Sequence, residues 1–598
     1  MMAPTQLTAA SGPLDDRQLD TLHAALRGLS STQLAWASGY LAGLCQGEIP
    51  AAPGAPEAPP VAAISLLYGS QTGNAKAVAQ RLGERALAEG LEVRVRSMDD
   101  SGPRRLGKER LALFVVSTHG EGEPPDSARA LHAFIHDQHA PRLEQLSYAV
   151  LGLGDSSYEH FCRTAVEFDR RLAELGARRI LPLQCCDLDY AAETERWSAD
   201  VIERLAQLAP ARPRNLVAIA GGRAGQPRAV GKDTPYTATL LENRRITTRD
   251  AVADVRHLAL SLDPSVLSYR PGDALGVWFR NDPALAEAVL ERLGLDGETP
   301  VRLGEGELGL RQALIERLEL TQLHPAIVRG WAELAQASDL LKLADNPAAL
   351  RTYASARQLI DLIAAHPVRV DAETLVGLLR PLQPRLYSIA SSQAETEDEV
   401  HLTVSVLRYQ AHGRDHLGGA SGFLGERIGE RDSLPVYIAE NTSFHLPRDG
   451  NAPLILIGAG TGVAPYRAFL QQRAANGDRG RAWLVLGNRH FHRDFLYQLD
   501  WQAQRKAGLL HRVSLAFSRD GAEKRYVQHA LREEGRELLR WIEDGAHLYV
   551  CGATAMGQAV HGALLDILTS EAGQAPEAAE QFLDTLRREA RYHRDLYA

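Results

Sequence analysis

Apolar runs that pass into helical patterns through turns of glycine and small hydroxyl residues constrain this chain more than any other feature. Leu66–Leu82 reads LLYGSQTGNAKAVAQRL and Leu456–Phe469 reads LIGAGTGVAPYRAF. A strand entering a helix through such a turn is the unit of a doubly wound parallel sheet, whose ligand loops gather at the carboxyl ends of the strands. The turn leaves backbone N–H groups free and aims the positive end of the helix dipole at them, so it cradles anions. In the first turn, Ser70, Gln71, Thr72, Gly73, Asn74 and Ala75 supply hydroxyl, amide and backbone donors. The lysine that offsets a γ-phosphate in a triphosphate loop is absent, so the pattern fits a single phosphate monoester.

The 598 residues suffice for three to five domains. Leu19, Leu22, Leu26 and Leu29, then Leu34, Ala37, Leu41 and Leu44, predict two short helices within residues 14–45. Their apolar faces must dock on the rest of the chain or on copies of itself. EIPAAPGAPEAPP (48–60) is a stiff, solvated linker that closes this N-terminal segment. Over 61–208, AAISLLYG, LEVRVRSM, LALFVVST and YAVLGLG alternate with helical patterns, which predicts a first doubly wound domain. A Pro/Gly/Arg-rich linker follows over 209–235. Over 236–447, the β-type alternation of YTATLLEN, VRHLALSL and VHLTVSVLRY predicts a barrel. It is interrupted at 281–380 by an insert that reads as all-helical. From 448 to 598, PLILIGAG, AWLVLGN, HRVSLAF and HLYVCG alternate with helices and predict a second doubly wound domain.

Composition removes several classes of function. A net charge of −9 argues against general nucleic-acid binding. No apolar run reaches the roughly 18 residues of a membrane span. The N-terminus has neither a basic region nor an apolar signal core, so a soluble cytoplasmic protein is expected. The five cysteines, Cys45, Cys162, Cys185, Cys186 and Cys551, are too scattered for a disulfide framework, a zinc site or an iron–sulfur cluster. No metal site is expected here, and metal chemistry belongs to a partner.

Two more strand-end loops share the edge of the first turn: Ser117-Thr118-His119-Gly120-Glu121-Gly122-Glu123, and Gly152-Leu153-Gly154-Asp155-Ser156-Ser157-Tyr158. Glycines let backbone approach a flat ligand, and Tyr158 offers a stacking face. With these three loops, residues 64–205 resemble a flavodoxin-type FMN domain. The resemblance implies phosphate on 70–75 and the isoalloxazine between Ser117, Thr118, His119 and Gly120 on one side and Tyr158 on the other. Leu153, Gly154, Asp155 and Cys162 complete the implied FMN set. Seven acidic residues against two arginines in 111–160 read either as a solvated surface or as a rim that steers a basic redox partner.

RLYSIASS (Arg385–Ser392) offers a guanidinium for a pyrophosphate, a stacking face at Tyr387 and a hydroxyl at Ser388. GGASGFLG (Gly418–Gly425) is a second glycine-rich turn before a helix. Together with RPGDALGVW (270–278) and HLTVSV (401–406), these resemble the FAD barrel of the ferredoxin–NADP reductase family. That resemblance implies FAD contacts at Thr321, Arg385, Leu386, Tyr387, Ser388, Thr403, Val404, Ser405, Tyr409, Gly418, Gly419, Ala420 and Ser421. LIGAGTGVAP has G-x-G-x-G spacing rather than the Rossmann G-x-G-x-x-G, and it matches the pyridine-nucleotide domain of the same family. FSRDGAEKRYVQ (517–528) follows a strand where the adenosine ribose lies, and places Ser518, Arg519, Lys524, Arg525, Tyr526, Val527 and Gln528 there. Basic residues at that point favour a 2′-phosphate, so NADPH is the expected donor. The chain ends YHRDLYA. The resemblance lays Tyr597 on the FAD ring and assigns Ser388, Cys551, Asp595 and Tyr597 to hydride transfer. Ala553 stands where the family usually has an aspartate, and Ala598 follows the terminal tyrosine.

The order FMN domain, FAD barrel with insert, NADPH domain resembles the diflavin reductases over about 64–598. THGEGEPPD, LGLGDSSYEHFC, LLRPLQPRLYSIASSQAE, DFLYQ and RYHRDLY resemble the branch that serves assimilatory sulfite reduction. This implies that hydride from NADPH reaches FAD and that FMN releases electrons singly. The implied acceptor is a separate sirohaem/iron–sulfur subunit, and the N-terminal segment is implied to build a homo-oligomer. A general reductase for a haem protein, and a shuttle without NADPH turnover, are the alternatives.

Overall fold

The computed structural model of the chain describes residues 64–70, 73–99, 103–118, 122–208, 230–304 and 306–597. The expected N-terminal helices, the 48–60 linker and most of the 209–235 linker lie outside the described residues, as does Ala598.

The first sheet comprises β1 (Ile64–Gly69), β2 (Val93–Ser97), β3 (Leu111–Ser117), β4 (Ser147–Leu153), β5 (Arg178–Arg179) and β6 (Gln184–Cys186). Its order is β2-β1-β3-β4-β5 with β6 beside β4, and every pair is parallel. Helices cover both faces, which is why β3 and β4 are apolar almost throughout. Leu66, Leu113, Val115 and Leu151 pack against the helices Asn74–Ala88 and Ala191–Leu208 on one face. Their neighbours Leu67, Phe114, Val116 and Val150 pack against Asp126–His136 and Arg163–Glu174 on the other. The strand order reverses between β1 and β3, so the crevice for a ligand opens at their carboxyl ends.

The central region holds β7 (Tyr236–Arg245), β8 (Asp254–Ser261), β9 (Ala274–Val277), the hairpin β10 (Pro300–Leu303) and β11 (Gly306–Gly309), β12 (Arg385–Ser388), β13 (Glu399–Val406), the hairpin β14 (Arg408–Ala411) and β15 (Arg414–Leu417), and β16 (Ser433–Ala439). Six of these form an antiparallel sheet in the order β12-β9-β16-β7-β8-β13. A bridge between Ile389 and Leu402 joins its two edges, so the sheet closes into a barrel. The insert is not all-helical. Among its helices, from Pro283–Leu293 to Ala372–Leu378, it carries the β10–β11 hairpin, with Val301 paired to Leu308. Leu303 and Leu308 pack on the helical core, and Gly304 and Gly306 between them close a tight hairpin within a segment whose leucine content suggests helix. Trp331, Leu350, Ile360 and Leu375 centre that core.

The last sheet comprises β17 (Leu454–Ala459), β18 (Ala482–Asn488), β19 (Arg512–Phe517), β20 (His547–Ala553) and β21 (Tyr592–Tyr597). Its order is β19-β18-β17-β20-β21, all parallel. The C-terminal tail is thus an edge strand, and its register sets Asp595 opposite Cys551 and Tyr597 opposite Ala553. Among the described residues, no helix is long and apolar enough to cross a membrane.

Candidate flavin and nucleotide sites

At the first switch point, Ser70 Oγ accepts the backbone N–H of Ala75 at 3.2 Å, which draws the turn over the start of helix Asn74–Ala88. The Ser70 N–H donates to Ser127 Oγ at 2.9 Å, and that hydroxyl donates back to Ser70 O. The helix carries no acid in its first turn, so nothing opposes an anion there. Tyr190 donates to Asn74 Oδ1 at 3.2 Å. Thr118 Oγ1 is buried with no partner among the described residues, an unmet hydrogen-bonding group at the end of β3. Asp155 Oδ1 accepts the N–H and hydroxyl of Ser157, and this turn presents Tyr158, 40% exposed, at the rim. An acid-free helix start, a hydroxyl unmet among the described residues and an exposed tyrosine suit an FMN phosphate and ring. Gln71, Thr72, His119 and Gly120 lie outside the described residues. Cys162 is fully buried behind the Gly154 loop in left-handed backbone, φ 51°. Its thiol donates towards Cys186 O, and the contact with Cys185, with burial, raises its pKa.

The glycine turn after β15 forms the second cradle. A Cβ on Gly419 would lie 2.7 Å from the Phe279 ring and 2.8 Å from Thr321 Oγ1, so only glycine keeps that surface open. Arg427 donates to Gly419 O at 3.0 Å and holds the turn. Ser421 Oγ accepts the Leu407 N–H, which leaves its own proton to donate. Arg385 lies over Phe279, its guanidinium carbon 5.4 Å from the ring centre. Tyr409 stacks on His416 with centroids 4.9 Å apart. Leu386 is 46% exposed, and burial raises the phenol pKa of Tyr387. A glycine cradle edged by an arginine and hydroxyls fits a dinucleotide pyrophosphate. Three further expected FAD residues lie on β13. Thr403 is buried and hydrogen-bonds Tyr497 at 2.7 Å, Val404 packs inside the barrel, and Ser405 lines the nucleotide cavity described below. Strand alternation sets Thr403 and Ser405 on one face of β13 and Val404 on the other, inside the barrel.

Barrel and last sheet meet at the proposed hydride site. Ser388 Oγ, at the end of β12, donates to Asp595 Oδ2 at 2.9 Å, and Cys551 Sγ lies 3.7 Å from the same oxygen. Burial pushes the Cys551 thiol well up, and the Asp595 carboxylate pushes further, so the sulfur stays protonated. Tyr597 hydrogen-bonds Thr461 through its hydroxyl at 2.9 Å, and its carbonyl accepts from Thr554. A Cβ on Gly462 would fall 2.2 Å from Cys551 O, which is why the turn after β17 must be glycine to pack on β20. Alongside lies a cavity of about 600 Å³ lined by Ser518, Arg519, Lys524, Tyr526, Val527, Gln528 and Tyr597. Asn488, Arg489, Thr461 and Met556 line it too, and sequence reasoning missed these. No Asp or Glu lines it, and its three cations hold no side-chain ion pair among the described residues. Such a lining fits a polyanionic nucleotide. Arg525 is turned away, onto Glu533 and Leu515 O.

Family models match in the order of the three sheets: flavodoxin over residues 66–197, an FAD binding domain over 228–423 and an oxidoreductase NAD-binding domain over 456–562. The sulfite reductase [NADPH] flavoprotein alpha-component of Thiocapsa roseopersicina is 54% identical over 590 residues, 97% of both chains. The chain belongs to the sulfite reductase [NADPH] flavoprotein alpha-component family. The members from Klebsiella pneumoniae subsp. pneumoniae and Shewanella sp. (strain ANA-3) are 47% and 45% identical, each over at least 98% of both chains. As in the rest of this flavoprotein family, the chain binds FMN, FAD and NADPH in its flavodoxin, FAD-binding and NAD-binding domains, and it is an NADPH-dependent diflavin oxidoreductase.

In this flavoprotein the three sites are brought together by ion pairs between distant segments. Arg594, next to Asp595 on β21, pairs at 3.1 Å with Glu123 beside the β3 loop of the flavodoxin sheet. Arg380 of the insert pairs at 3.0 Å with Asp187 after β6. Ser156 hydrogen-bonds His324 of the insert at 2.7 Å. The ligand edge of the first sheet therefore faces the other two domains.

Proposed function

We propose that this chain is the electron-donating flavoprotein of an assimilatory sulfite reductase. The observation that carries the reading is the meeting of Ser388, Cys551 and Asp595, from two domains, beside a carboxylate-free cavity and facing a flavodoxin edge. When bound, FAD would supply a hydride acceptor for NADPH and FMN a one-electron donor for the partner. The chain's own residues bind, orient and shield these groups. Ser70, Asn74 and Ala75 hold the FMN phosphate while Tyr158 covers the ring. Arg385, Thr321 and Gly418–Ser421 hold the FAD pyrophosphate. Arg519 and Lys524 hold the 2′-phosphate of the donor. The Ser388 hydroxyl and Asp595 carboxylate orient the nicotinamide side, and Cys551 remains a neutral thiol. Tyr597 occupies the nicotinamide position until the donor enters.

The partner is a sirohaem/iron–sulfur subunit that reduces sulfite to sulfide, and the N-terminal segment joins copies of the flavoprotein. The cytoplasm is the location we assign to it. The test is to load the full chain with both flavins and supply NADPH or NADH. A one-electron dye should be reduced with NADPH far faster than with NADH. Adding the sirohaem subunit should yield sulfide. Fast dye reduction without sulfide would instead favour a general diflavin reductase, and no dye reduction would refute the enzyme reading.

A further inference from the structure

Glu319 lies in the segment that joins the helices Leu310–Glu316 and Pro325–Ala335, and its side chain is 8% exposed. One carboxylate oxygen accepts Arg385 Nη2 at 2.6 Å. The other accepts the Thr321 N–H at 2.8 Å, the Thr321 hydroxyl at 2.8 Å and the Gln322 N–H at 3.1 Å. Gln322 Oε1 takes a second Nη2 bond from Arg385 at 2.7 Å, and Arg385 Nη1 donates to Gln383 O at 2.8 Å. Three of the five guanidinium N–H groups are thus committed, and two remain to donate. The Glu319 N–H donates to Arg380 O and the Leu382 N–H to Arg317 O, which straps this segment to the approach of β12.

We propose that Glu319 is a positioning residue for the flavin dinucleotide. Resting on the reading of Arg385 and Thr321 as FAD contacts, it ties the arginine on β12 to the hydroxyl at the glycine cradle. Charge alone argues against a carboxylate here, since it repels a pyrophosphate. Its return is geometric. A long arginine side chain has many rotamers, and a buried acceptor that fixes one of them leaves the remaining N–H groups aimed at a single place. The same carboxylate holds Thr321 against Gly419, where the open surface begins. Sequence reasoning picked out Thr321 and Arg385 singly; the residue that joins them carries no motif of its own.

The test uses the full flavin-loaded chain and reads FAD affinity, not turnover. Glu319→Ala and the isosteric Glu319→Gln are compared with Arg385→Ala for FAD bound per chain and FAD Kd, with FMN bound per chain as the internal control. Loss of positioning should raise FAD Kd by about 10- to 100-fold in Glu319→Ala, the range of one charge-assisted bond. Glu319→Gln should fall between, with FMN content unchanged. In the Arg385→Ala background, Glu319→Ala should add little, because the group it aims is gone. FAD bound as in the parent, or tighter, in both Glu319 variants while Arg385→Ala loses it would overturn the proposal and leave the Arg385 reading intact. FAD retained by Arg385→Ala would remove that reading, and the proposal with it. If Glu319→Ala loses FMN as well, the fold is at fault, and Glu319→Gln decides: parent FAD affinity there overturns the proposal.

Discussion

Replacing the cavity cations should convert this enzyme's nucleotide preference without damaging its fold. Arg489, Arg519 and Lys524 face a cavity of about 600 Å³ that no carboxylate lines, and among the described residues none has a side-chain ion pair to give up when a phosphate arrives. Their charge is therefore available in full. All three are exposed, so water and salt weaken each contact, and the lower end of the range for a charge-assisted bond applies, about 1.5 kcal/mol. That is roughly tenfold per residue and roughly a hundredfold for Arg519→Ala with Lys524→Ala. The assay is kcat/KM for NADPH and for NADH, with a one-electron dye as acceptor. Only NADPH carries the 2′-phosphate, so the loss should fall on NADPH while NADH stays within about a factor of two. Raising salt should shrink the parent's preference and barely change the double variant's. Equal losses with both nucleotides would show that the cations serve the shared pyrophosphate or the fold, and would refute the specificity argument.

Other expectations follow from individual contacts. Asp595→Asn removes the charged acceptor shared by Ser388 and Cys551, and should slow NADPH-driven flavin reduction at least about tenfold in stopped flow. Cys551→Ala should cost less, and the parent's rate–pH profile should show no limb from Cys551, because burial and Asp595 hold the thiol protonated. Burial depresses His257 to about 3 and His547 to about 4. Both are neutral in the fold but protonate near 6.5 when unfolded. Their contribution to stability is therefore complete above about pH 6.5 and lost as pH falls from there towards 3–4. Thermal melts between pH 7 and 4.5 should show this, with a shallower slope in His257→Gln. Arg594→Ala breaks the pair with half-exposed Glu123, worth about 0.2–1 kcal/mol. It should lower the FAD-to-FMN transfer rate up to about fivefold at low salt and have little effect at high salt. Trp331→Ala should destabilise the insert by about 3–5 kcal/mol, read in denaturant melts.

Much of this architecture was legible because its signals are local. Period-two and period-3.6 patterns marked the strands and helices of both doubly wound sheets, and glycine spacing marked the turns that open on ligands. The β10–β11 hairpin is hard to read because the insert is rich in Leu, Ala and Glu throughout, and only the glycines between Leu303 and Leu308 mark the turn. β21 escaped notice as a strand because YHRDLY has no apolar alternation; its place comes from pairing with β20. In the same way, SRDGAEKRYVQ identified a basic nucleotide loop, yet nothing in that run says that Lys524 faces the cavity and Arg525 faces Glu533. Arg489 and Glu319 were missed for a related reason. Each becomes part of a site only when a chain crossing sets it beside residues already marked by a motif.

The contacts between domains were the least legible, and they bear most directly on function. Glu123 and Arg594 are 471 positions apart, and single charges on two surfaces leave no periodicity to read. Asp187 and Arg380 are likewise 193 apart. Yet these pairs bring the ligand edge of the flavodoxin sheet against the insert and against the strand that carries Asp595 and Tyr597. Isolated pairs of this kind, only partly withdrawn from water, are modest in strength and weakened by salt. A docking held by them is strong enough to favour close approach and weak enough to be released. A chain that must first receive electrons from within and then present them to another protein needs both properties. A large apolar seam at the same place would give the first and forbid the second.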